Sequence, residues 1–276
     1  MLEAIVIPRG PYRLSLMTRG RMWEAPQPGG TVARAYQRRD GAVVIQAADE
    51  EGLALARFQL ALDDDTSEFH ARFGRDPLVG PSVRTFKGWR PLRVATVARA
   101  AISGFCGQLV DTRTARMLER GVLARCGTPT PTCGDVASLA PAELARMGLA
   151  QRRATALVHL CRTLDLERLR GLEAEAVRAR LLREPQLGPW TLGVIATDGL
   201  GLYAFGPAGD LGLVKLVTAL TGRVASTEDT QEFLASYGEW QALAGNMLML
   251  GWGRGLVPGA HPDRARLVRV RARRAA

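Results

Sequence analysis

The chain has 276 residues, a length that predicts one large domain or two of moderate size. Its composition, 47% hydrophobic and 23% charged, is typical of a globular protein and excludes a mainly disordered chain. The net charge of +10 indicates a polyanionic partner, nucleic acid or an anionic membrane surface, although codon usage in a GC-rich genome also produces arginine-rich chains. No run approaches the ~20 apolar residues of a membrane span and no leader pattern is visible, so we expect a cytoplasmic protein without a membrane partner.

The first part of the chain is rich in β-branched and aromatic residues and predicts a small antiparallel sheet. Four short runs carry this pattern: EAIVIP, YRLSLMT, TVARAYQRR and AVVIQAA. Asp40 and Gly41, between the last two runs, are typical of a two-residue hairpin turn. A helix is predicted to begin at Thr66 or Ser67, and two prolines then break the pattern. We place a boundary near residue 85, which gives a β-rich domain over residues 1–85.

From about Val94 onward the pattern becomes helical. In ATALVHLCRTL, apolar residues recur with the spacing of one helix face: Leu157, Leu160, Cys161 and Leu164. Similar faces follow one another with short connectors, which predicts a compact all-α core over residues 86–260 and an α+β protein overall. Residues 261–276 are a basic tail, either a segment that contacts phosphates or a solvated terminus.

The four cysteines, at positions 106, 126, 133 and 161, match neither a CxxC metal pair nor an iron–sulfur spacing. We therefore expect no iron–sulfur cluster. In a reducing compartment these residues would stay as thiols, in the core or without a special role.

The stretch LLREPQLGPWTLG predicts two helices joined by a tight turn. The first helix ends near Pro185, and Pro189 opens the second, where a missing N–H removes no hydrogen bond. Free backbone N–H groups at a helix start bind anions, phosphates above all. From the residues alone, this turn is either an ordinary corner or a clamp for a DNA backbone.

Four motifs occur in order along the helical part: LVDTRTARML, MGLAQRRATALVHL, EPQLGPWTLGVIA and GPAGDLGLVKL. Together they resemble the helix-hairpin-helix DNA glycosylases, most closely the AlkA-type 3-methyladenine DNA glycosylase II branch. That branch carries a β domain ahead of its helical core, so the resemblance covers nearly the whole chain except the tail. It implies a bacterial, nucleoid-associated monomer of base excision repair that binds double-stranded DNA with a damaged base and needs no catalytic cofactor.

Asp210 follows Gly209 and precedes LGLVKL, a position that favours helix capping on local grounds. The same placement allows a carboxylate to face a sugar whose glycosidic bond is breaking and to stabilise the positive charge that develops there. The resemblance implies that Asp210 is the essential catalytic aspartate, with capping as an accompanying role.

In the family the hairpin turn reads Pro, Gly, an aliphatic residue and Gly, whereas Gln186 here replaces the first glycine. Because glutamine lacks the freedom of glycine at positive φ, the turn must tolerate a side chain there or change its shape. The resemblance implies DNA contacts from the turn and the start of the second helix: Gln186, Leu187, Gly188 and Thr191. Lys215, five residues past Asp210, lies on a different side of the helix that Asp210 begins and is expected to meet a phosphate or a carboxylate. It also implies a monovalent cation held by three backbone carbonyls: Leu182, Glu184 and Leu187.

Trp190 occupies the hairpin position at which lyase-competent relatives have lysine. An indole cannot form a Schiff base with the sugar, so the resemblance implies no lyase activity. Trp190 is either one wall of the base pocket, in cation–π contact with an alkylated base, or a core tryptophan. Other aromatic positions of the family are aliphatic here, and we expect Tyr203, Phe205 or Phe105 to complete the pocket.

The segment GQLV, residues 107–110, resembles the loop that inserts a wedge into the DNA stack. An apolar side chain in the gap left by a flipped base offsets part of the unstacking cost. The resemblance implies Leu109 as the wedge and Gln108 beside it, facing the minor groove. The alternative is an ordinary connection between helices.

The leading hypothesis is a monofunctional DNA N-glycosylase that flips an alkylated purine, such as 3-methyladenine or 7-methylguanine, and leaves an abasic site. Deaminated, etheno and oxidised purines are alternative substrates. A non-catalytic protein that binds damaged or distorted DNA is the second hypothesis, and a helical regulator unrelated to repair is the third.

Overall fold

The N-terminal part of the chain forms a four-stranded antiparallel sheet in the computed structural model, which describes residues 1–18 and 20–261. Its strands are β1 (Leu2–Val6), β2 (Met22–Pro26), β3 (Val32–Gln37) and β4 (Val43–Ala47), in the order β1-β4-β3-β2. The predicted hairpin between β3 and β4 is present and Gly41 has a φ of 91°, but its loop is longer than two residues, because Arg38 N–H donates to the Ala42 carbonyl at 2.8 Å and residues 39–41 form the turn. The predicted fold class, α+β, is also confirmed.

One predicted strand is wrong and one real strand was missed. YRLSLMT forms a 3-10 turn over Leu14–Leu16, in which the buried Leu14 donates its N–H to Gln37 Oε1 at 3.0 Å. That side-chain bond takes the place of a ladder bond, so the segment turns instead of extending. The missed strand is β2, whose one buried apolar side chain is Trp23, too weak a pattern to read beside a proline.

Helix α1 (Glu50–Gln59) follows the sheet and packs against it. The Asp49 carboxylate begins the helix by accepting the N–H of Gly52 at 2.8 Å. A small core forms between the two layers, with alanines on β3 and larger aliphatic residues on β4: Ala33, Ala35, Val43 and Ile45.

Arg90 connects the sheet region to the helices. Its side chain is fully buried, and its guanidinium donates to the carbonyls of Ala61, Arg9 and Pro11. The same group lies 5.0 Å from the ring centre of Tyr12. Nη1 and Nη2 are paired in this way, whereas Nε has no partner among the described residues, and the contacts connect Arg90 to the segments around Pro11 and Ala61.

The rest of the described chain is helical. The helices are α2 (Ser67–Phe73), α3 (Gly80–Thr85), α4 (Val97–Gly107), α5 (Thr112–Cys126), α6 (Cys133–Ala137), α7 (Pro141–Arg146), α8 (Gln151–Thr163), α9 (Ala174–Leu181), α10 (Pro189–Val194), α11 (Leu211–Thr221), α12 (Thr227–Ala235) and α13 (Gln241–Trp252). A π-helical turn, Ile195–Leu200, continues α10. Within the described residues, no helix combines the length and apolar character needed to cross a membrane.

The helices enclose two apolar cores. The first is built mainly from α4, α5 and α8 with the hairpin helices, and the second from α2, α3, α11 and α13. Residues of α2 and α3, such as Phe69 and Val83, therefore pack with the C-terminal helices although they precede the boundary expected near residue 85. That boundary remains a prediction, and the packing favours grouping α2 and α3 with the helical core.

Candidate active site

The hairpin consists of α9, a turn over residues 182–188, and α10. Leu187 is 5% exposed and belongs to the first core, so the turn is fixed by burial of its aliphatic residue. Gln186 has a φ of 59°, in the left-handed region, and its side chain is exposed. Gly188 is the extended N-cap of α10, with φ −93° and ψ −178°. Gln186 therefore takes the left-handed conformation at the position where glycine is expected, at a cost of about 1 to 2 kcal/mol.

The loop between α4 and α5 lies against this turn. Leu109 has a φ of 52° and is 77% exposed. Gln108 Nε2 donates to the carbonyl of Gln186 at 2.9 Å and to Thr191 Oγ1 at 2.7 Å. The expected wedge is thus an exposed leucine in a strained conformation, whereas the amide of Gln108 is engaged by the hairpin.

Arg153, on α8, is a residue of this region that sequence analysis missed. Its Nη1 donates to the carbonyl of Gln108 at 2.5 Å, and its side chain is half-buried. The motif MGLAQRRATALVHL contains this arginine, but no sequence pattern indicates that it reaches a residue 45 positions earlier.

Asp210 is the N-cap of α11. Its Oδ1 accepts the N–H groups of Gly212 at 2.7 Å and Leu213 at 3.2 Å, so capping is observed directly. Among the described residues, no hydrogen bond reaches Oδ2. The side chain is half-buried and lines a cavity, which leaves one carboxylate oxygen available to a ligand.

A cavity of about 480 Å³ brings most of the expected site residues together. Its walls come from the α4–α5 loop, the hairpin and the starts of α11 and α12: Leu109, Gln186, Trp190, Asp210, Leu211 and Thr227. Leu211, 47% exposed, and Thr227 had not been expected there. No spacing in the sequence indicates that α12 returns to the Asp210 loop.

Trp190 lies half-buried on the cavity wall. Its indole rests on Gly107, where an added Cβ would lie 2.4 Å from Trp190 Cη2. Glycine is required at this close approach, because any side chain would displace the ring. The ring is thus held by α4 on one side and faces the cavity on the other.

Tyr203 and Phe205 do not line this cavity, contrary to the expectation that they complete the pocket. The Tyr203 hydroxyl donates to the carboxylate of Asp64, and its ring stacks on Trp240 with centres 5.9 Å apart. Burial raises the pKa of this phenol above its usual value. Phe205 lines a second cavity of about 420 Å³, on the other side of Pro189 and Ala208. The Tyr203 carbonyl accepts the N–H of Ala242 at 2.9 Å, which holds this segment against the start of α13.

The other residues expected to contact DNA or a cation differ in their exposure and in the hydrogen bonds they already make. Thr191 is 1% exposed, and its hydroxyl already accepts from Gln108. Lys215 is exposed on α11 and does not line the Asp210 cavity. Of the carbonyls expected to hold a cation, that of Glu184 accepts Leu187 N–H at 3.3 Å. The Glu184 carboxylate pairs with Arg180 at 2.5 Å.

The cysteines lie away from the cavity wall and are free thiols. Cys106 is buried next to Gly107, and burial raises the pKa of its thiol to about 12, so it stays neutral. Within the described residues, no group of three or more His, Cys, Asp or Glu side chains is placed to hold a metal ion.

The basic tail expected over residues 261–276 lies outside the described residues, apart from His261.

The sheet, the two helical cores and the hairpin beside a capped aspartate define the class of protein: the fold is that of the helix-hairpin-helix DNA glycosylases. The structure of 3-methyladenine DNA-glycosylase from Archaeoglobus fulgidus matches with a TM-score of 0.73, covering 92% of this chain and 98% of that chain at 20% identity. The 8-oxoguanine glycosylase/lyase of Clostridium acetobutylicum matches with a TM-score of 0.69, covering 90% of this chain and 95% of that one at 18% identity.

A relative is also found by sequence. The chain is 30% identical over 202 residues to the probable bifunctional transcriptional activator/DNA repair enzyme AlkA of Mycobacterium tuberculosis (strain CDC 1551 / Oshkosh). The match covers 69% of this chain and 40% of that protein, so the chain spans less than half the length of this relative. No protein-family model matches the chain. The predicted resemblance to AlkA-type glycosylases is confirmed by the sequence relative and the fold together.

Proposed function

We propose that the protein is a monofunctional DNA N-glycosylase of base excision repair that flips an N-alkylated purine and hydrolyses its glycosidic bond. The observation that carries the proposal is the convergence of Asp210, Trp190, Leu109 and the hairpin turn on one cavity. A volume of about 480 Å³ falls within the range of small-molecule sites. The DNA-repair function of the sequence relative and the glycosylase fold support the same activity.

DNA binding is supported by charge and by the hairpin. The net charge of +10 favours association with the phosphate backbone. The exposed turn at Gln186 and the start of α10 would contact a phosphate close to the damaged base through backbone N–H groups. A solved complex of the Clostridium acetobutylicum enzyme with double-stranded DNA has this fold, with a TM-score of 0.67.

Base flipping would use Leu109 as the wedge. A base inside a duplex is out of reach of Asp210, so it must leave the stack. Leu109 is 77% exposed at the mouth of the cavity and can fill the gap, which offsets part of the unstacking cost of a few kcal/mol. The flipped base would then lie against the indole of Trp190, where a positively charged alkylated ring gains cation–π attraction.

Bond cleavage would depend on the Asp210 carboxylate. Two N–H groups hold Oδ1 in place, while Oδ2, which accepts no hydrogen bond from the described part of the chain, would face the sugar. As the glycosidic bond breaks, positive charge develops on the sugar ring, and a fixed carboxylate stabilises it. N-alkylation makes the base a good leaving group, so the enzyme needs little acid catalysis. Water then adds to the sugar and leaves an abasic site.

Strand cleavage by this protein is not expected. A lyase needs an amine at the sugar, and the chain has only two lysines, Lys87 and Lys215. Neither lines the Asp210 cavity, and Lys87 lies between α3 and α4. Trp190 stands where lyase-competent relatives have their lysine.

A monovalent cation at the hairpin is part of the proposal. The carbonyls of Leu182 and Leu187 accept no hydrogen bond from the described backbone, so they fit a hard cation that prefers oxygen ligands. When bound there, the cation would add positive charge beside the phosphate site. The catalytic step itself requires only the side chains of the cavity.

The decisive experiment is an excision assay on a panel of duplexes. Each carries one lesion, namely 3-methyladenine, 7-methylguanine, hypoxanthine, ethenoadenine or 8-oxoguanine, and alkali cleaves the strand wherever a base has been removed. We expect strand cleavage after alkali for the alkylated purines and slower or no reaction for the neutral ones. Excision of 8-oxoguanine alone would assign a different substrate class. Binding to every lesion without excision of any would support the non-catalytic binding protein and contradict the proposal.

A further inference from the structure

Two residues in the cavity wall adopt a strained backbone conformation. Three non-glycine residues of the described chain have positive φ, and two of them, Leu109 and Gln186, line the cavity. A left-handed conformation persists in such residues only when the surroundings hold it in place. The contacts that hold these two residues are therefore part of how the site works.

A short chain of hydrogen bonds joins Gln186 to Gln108, the residue directly before Leu109. Arg153 Nη1 donates to the carbonyl of Gln108 at 2.5 Å, and Gln108 Nε2 donates to the carbonyl of Gln186 at 2.9 Å. Gln108 Nε2 also donates to the buried hydroxyl of Thr191 at 2.7 Å. Three elements are thus connected: α8, the loop that carries Leu109, and the hairpin.

Arg153 acts at the end of a helix. Helix α4 ends at Gly107, and the Gln108 carbonyl directly follows it, where a cation is favoured by the helix dipole. A guanidinium at this point fixes the direction in which the chain leaves α4. Leu109 is the next residue, so its position depends on this contact.

We infer that Arg153 is a positioning residue, which holds Gln108 so that Leu109 can enter the base stack while Gln108 couples this insertion to the hairpin. The inference rests on the proposed function, because the wedge matters only in a protein that opens a duplex. Arg153 does not itself line the cavity and makes no described contact with Asp210; it acts through Gln108, which does line the cavity. The amide of Gln108 serves this link in the unbound protein.

A readout that is independent of excision tests the inference. The probe is a duplex with a tetrahydrofuran abasic analogue and 2-aminopurine as its neighbour, whose fluorescence rises when a side chain unstacks it. The variants are Arg153→Met and Gln108→Met, which remove the donors, and Arg153→Lys, which keeps one cationic donor. Arg152→Met is the matched control, because it removes the same charge from the adjacent, exposed position on α8.

At saturating protein, checked by anisotropy, we expect Arg153→Met and Gln108→Met to lose most of the fluorescence increase, with Arg153→Lys intermediate and Arg152→Met unchanged. Single-turnover excision should fall about tenfold in duplex for the two Met variants and much less in single-stranded DNA, where no base must be flipped. A general structural defect would lower the excision rate on duplex and on single-stranded DNA by the same factor.

Several results would overturn the inference. One is a full fluorescence increase in Arg153→Met, and another is an equal loss in Arg152→Met, which would assign the effect to charge alone. A third is a loss of the fluorescence increase in Gln108→Met but not in Arg153→Met, which would mean that Gln108 contacts DNA directly and that Arg153 does not position it. If the wild-type protein excises no base, the proposed function fails, but the 2-aminopurine signal still decides whether Arg153 positions the wedge.

Discussion

The helical region contains two contrasting parts: the cavity around Asp210, where we place the chemistry, and an aromatic cluster that stabilises the core. The aromatic cluster is Phe69, Phe73, Tyr203, Tyr237 and Trp240, whose neighbouring ring centres lie 5.3 to 5.9 Å apart. The cavity wall has one aromatic residue, Trp190, beside exposed leucines and strained backbone. Rings that were expected at the site serve the core instead. Chemistry and stability should therefore respond to different substitutions.

The largest expected effect is that of Asp210→Asn on excision. The amide keeps an oxygen that caps α11 but removes the charge that stabilises the sugar cation, so the single-turnover rate should fall by about two orders of magnitude or more. The free energy of unfolding should change by less than about 0.5 kcal/mol, because asparagine and aspartate cap helices almost equally well.

Asp49→Asn is the matched control for this prediction. It makes the same change at the N-cap of α1, far along the chain from the cavity, and should leave excision unchanged. Wild-type rates in Asp210→Asn at an equal folded fraction would refute the catalytic role.

Trp190→Ala tests whether the single aromatic wall recognises a charged base. A desolvated cation–π contact contributes about 2 kcal/mol, so excision of 7-methylguanine should fall about 30-fold. The excision rate on a neutral substrate such as hypoxanthine should fall by a smaller factor. Trp190→Phe should recover part of the rate lost on 7-methylguanine. Single-turnover rates on the two lesions measure this ratio, and an equal loss for both would indicate a packing role for the indole.

Phe69→Leu tests whether the aromatic cluster contributes to stability and not to excision. Phe69 is fully buried and contacts Phe73 and Trp240, so the smaller side chain should lower the free energy of unfolding by about 1 to 2 kcal/mol. Denaturant unfolding measures this loss. Excision per folded molecule should stay at the wild-type level, and a selective loss of excision would mean that the aromatic cluster extends into the site.

The sequence predicted those features that depend on local patterns. The hairpin between β3 and β4, the helical faces and the cap at Asp210 all follow from residues close to one another in the chain. The strand expected in YRLSLMT was wrong because Gln37, more than twenty positions away, supplies a side-chain bond to Leu14. Local pattern carries no information about such a partner.

The same limit explains the site. Leu109, Trp190 and Asp210 were expected at the cavity because the family resemblance implied that these residues, although far apart in sequence, belong to one site. Tyr203 was misplaced because its ring direction depends on Asp64 and Trp240, which lie far from it in sequence. Arg153 was missed for the same reason, since its role depends on one contact with a backbone carbonyl.

The central claim is that this cavity hydrolyses a glycosidic bond with a carboxylate and without an amine. Borohydride trapping on a duplex that the protein demonstrably excises tests it most directly, because borohydride reduces a Schiff base to a stable protein–DNA adduct. We predict complete excision, visible after alkali, with no trapped adduct and no strand cleavage before alkali. A strong trapped band that disappears in Lys215→Ala would contradict the account and assign lyase chemistry to this protein.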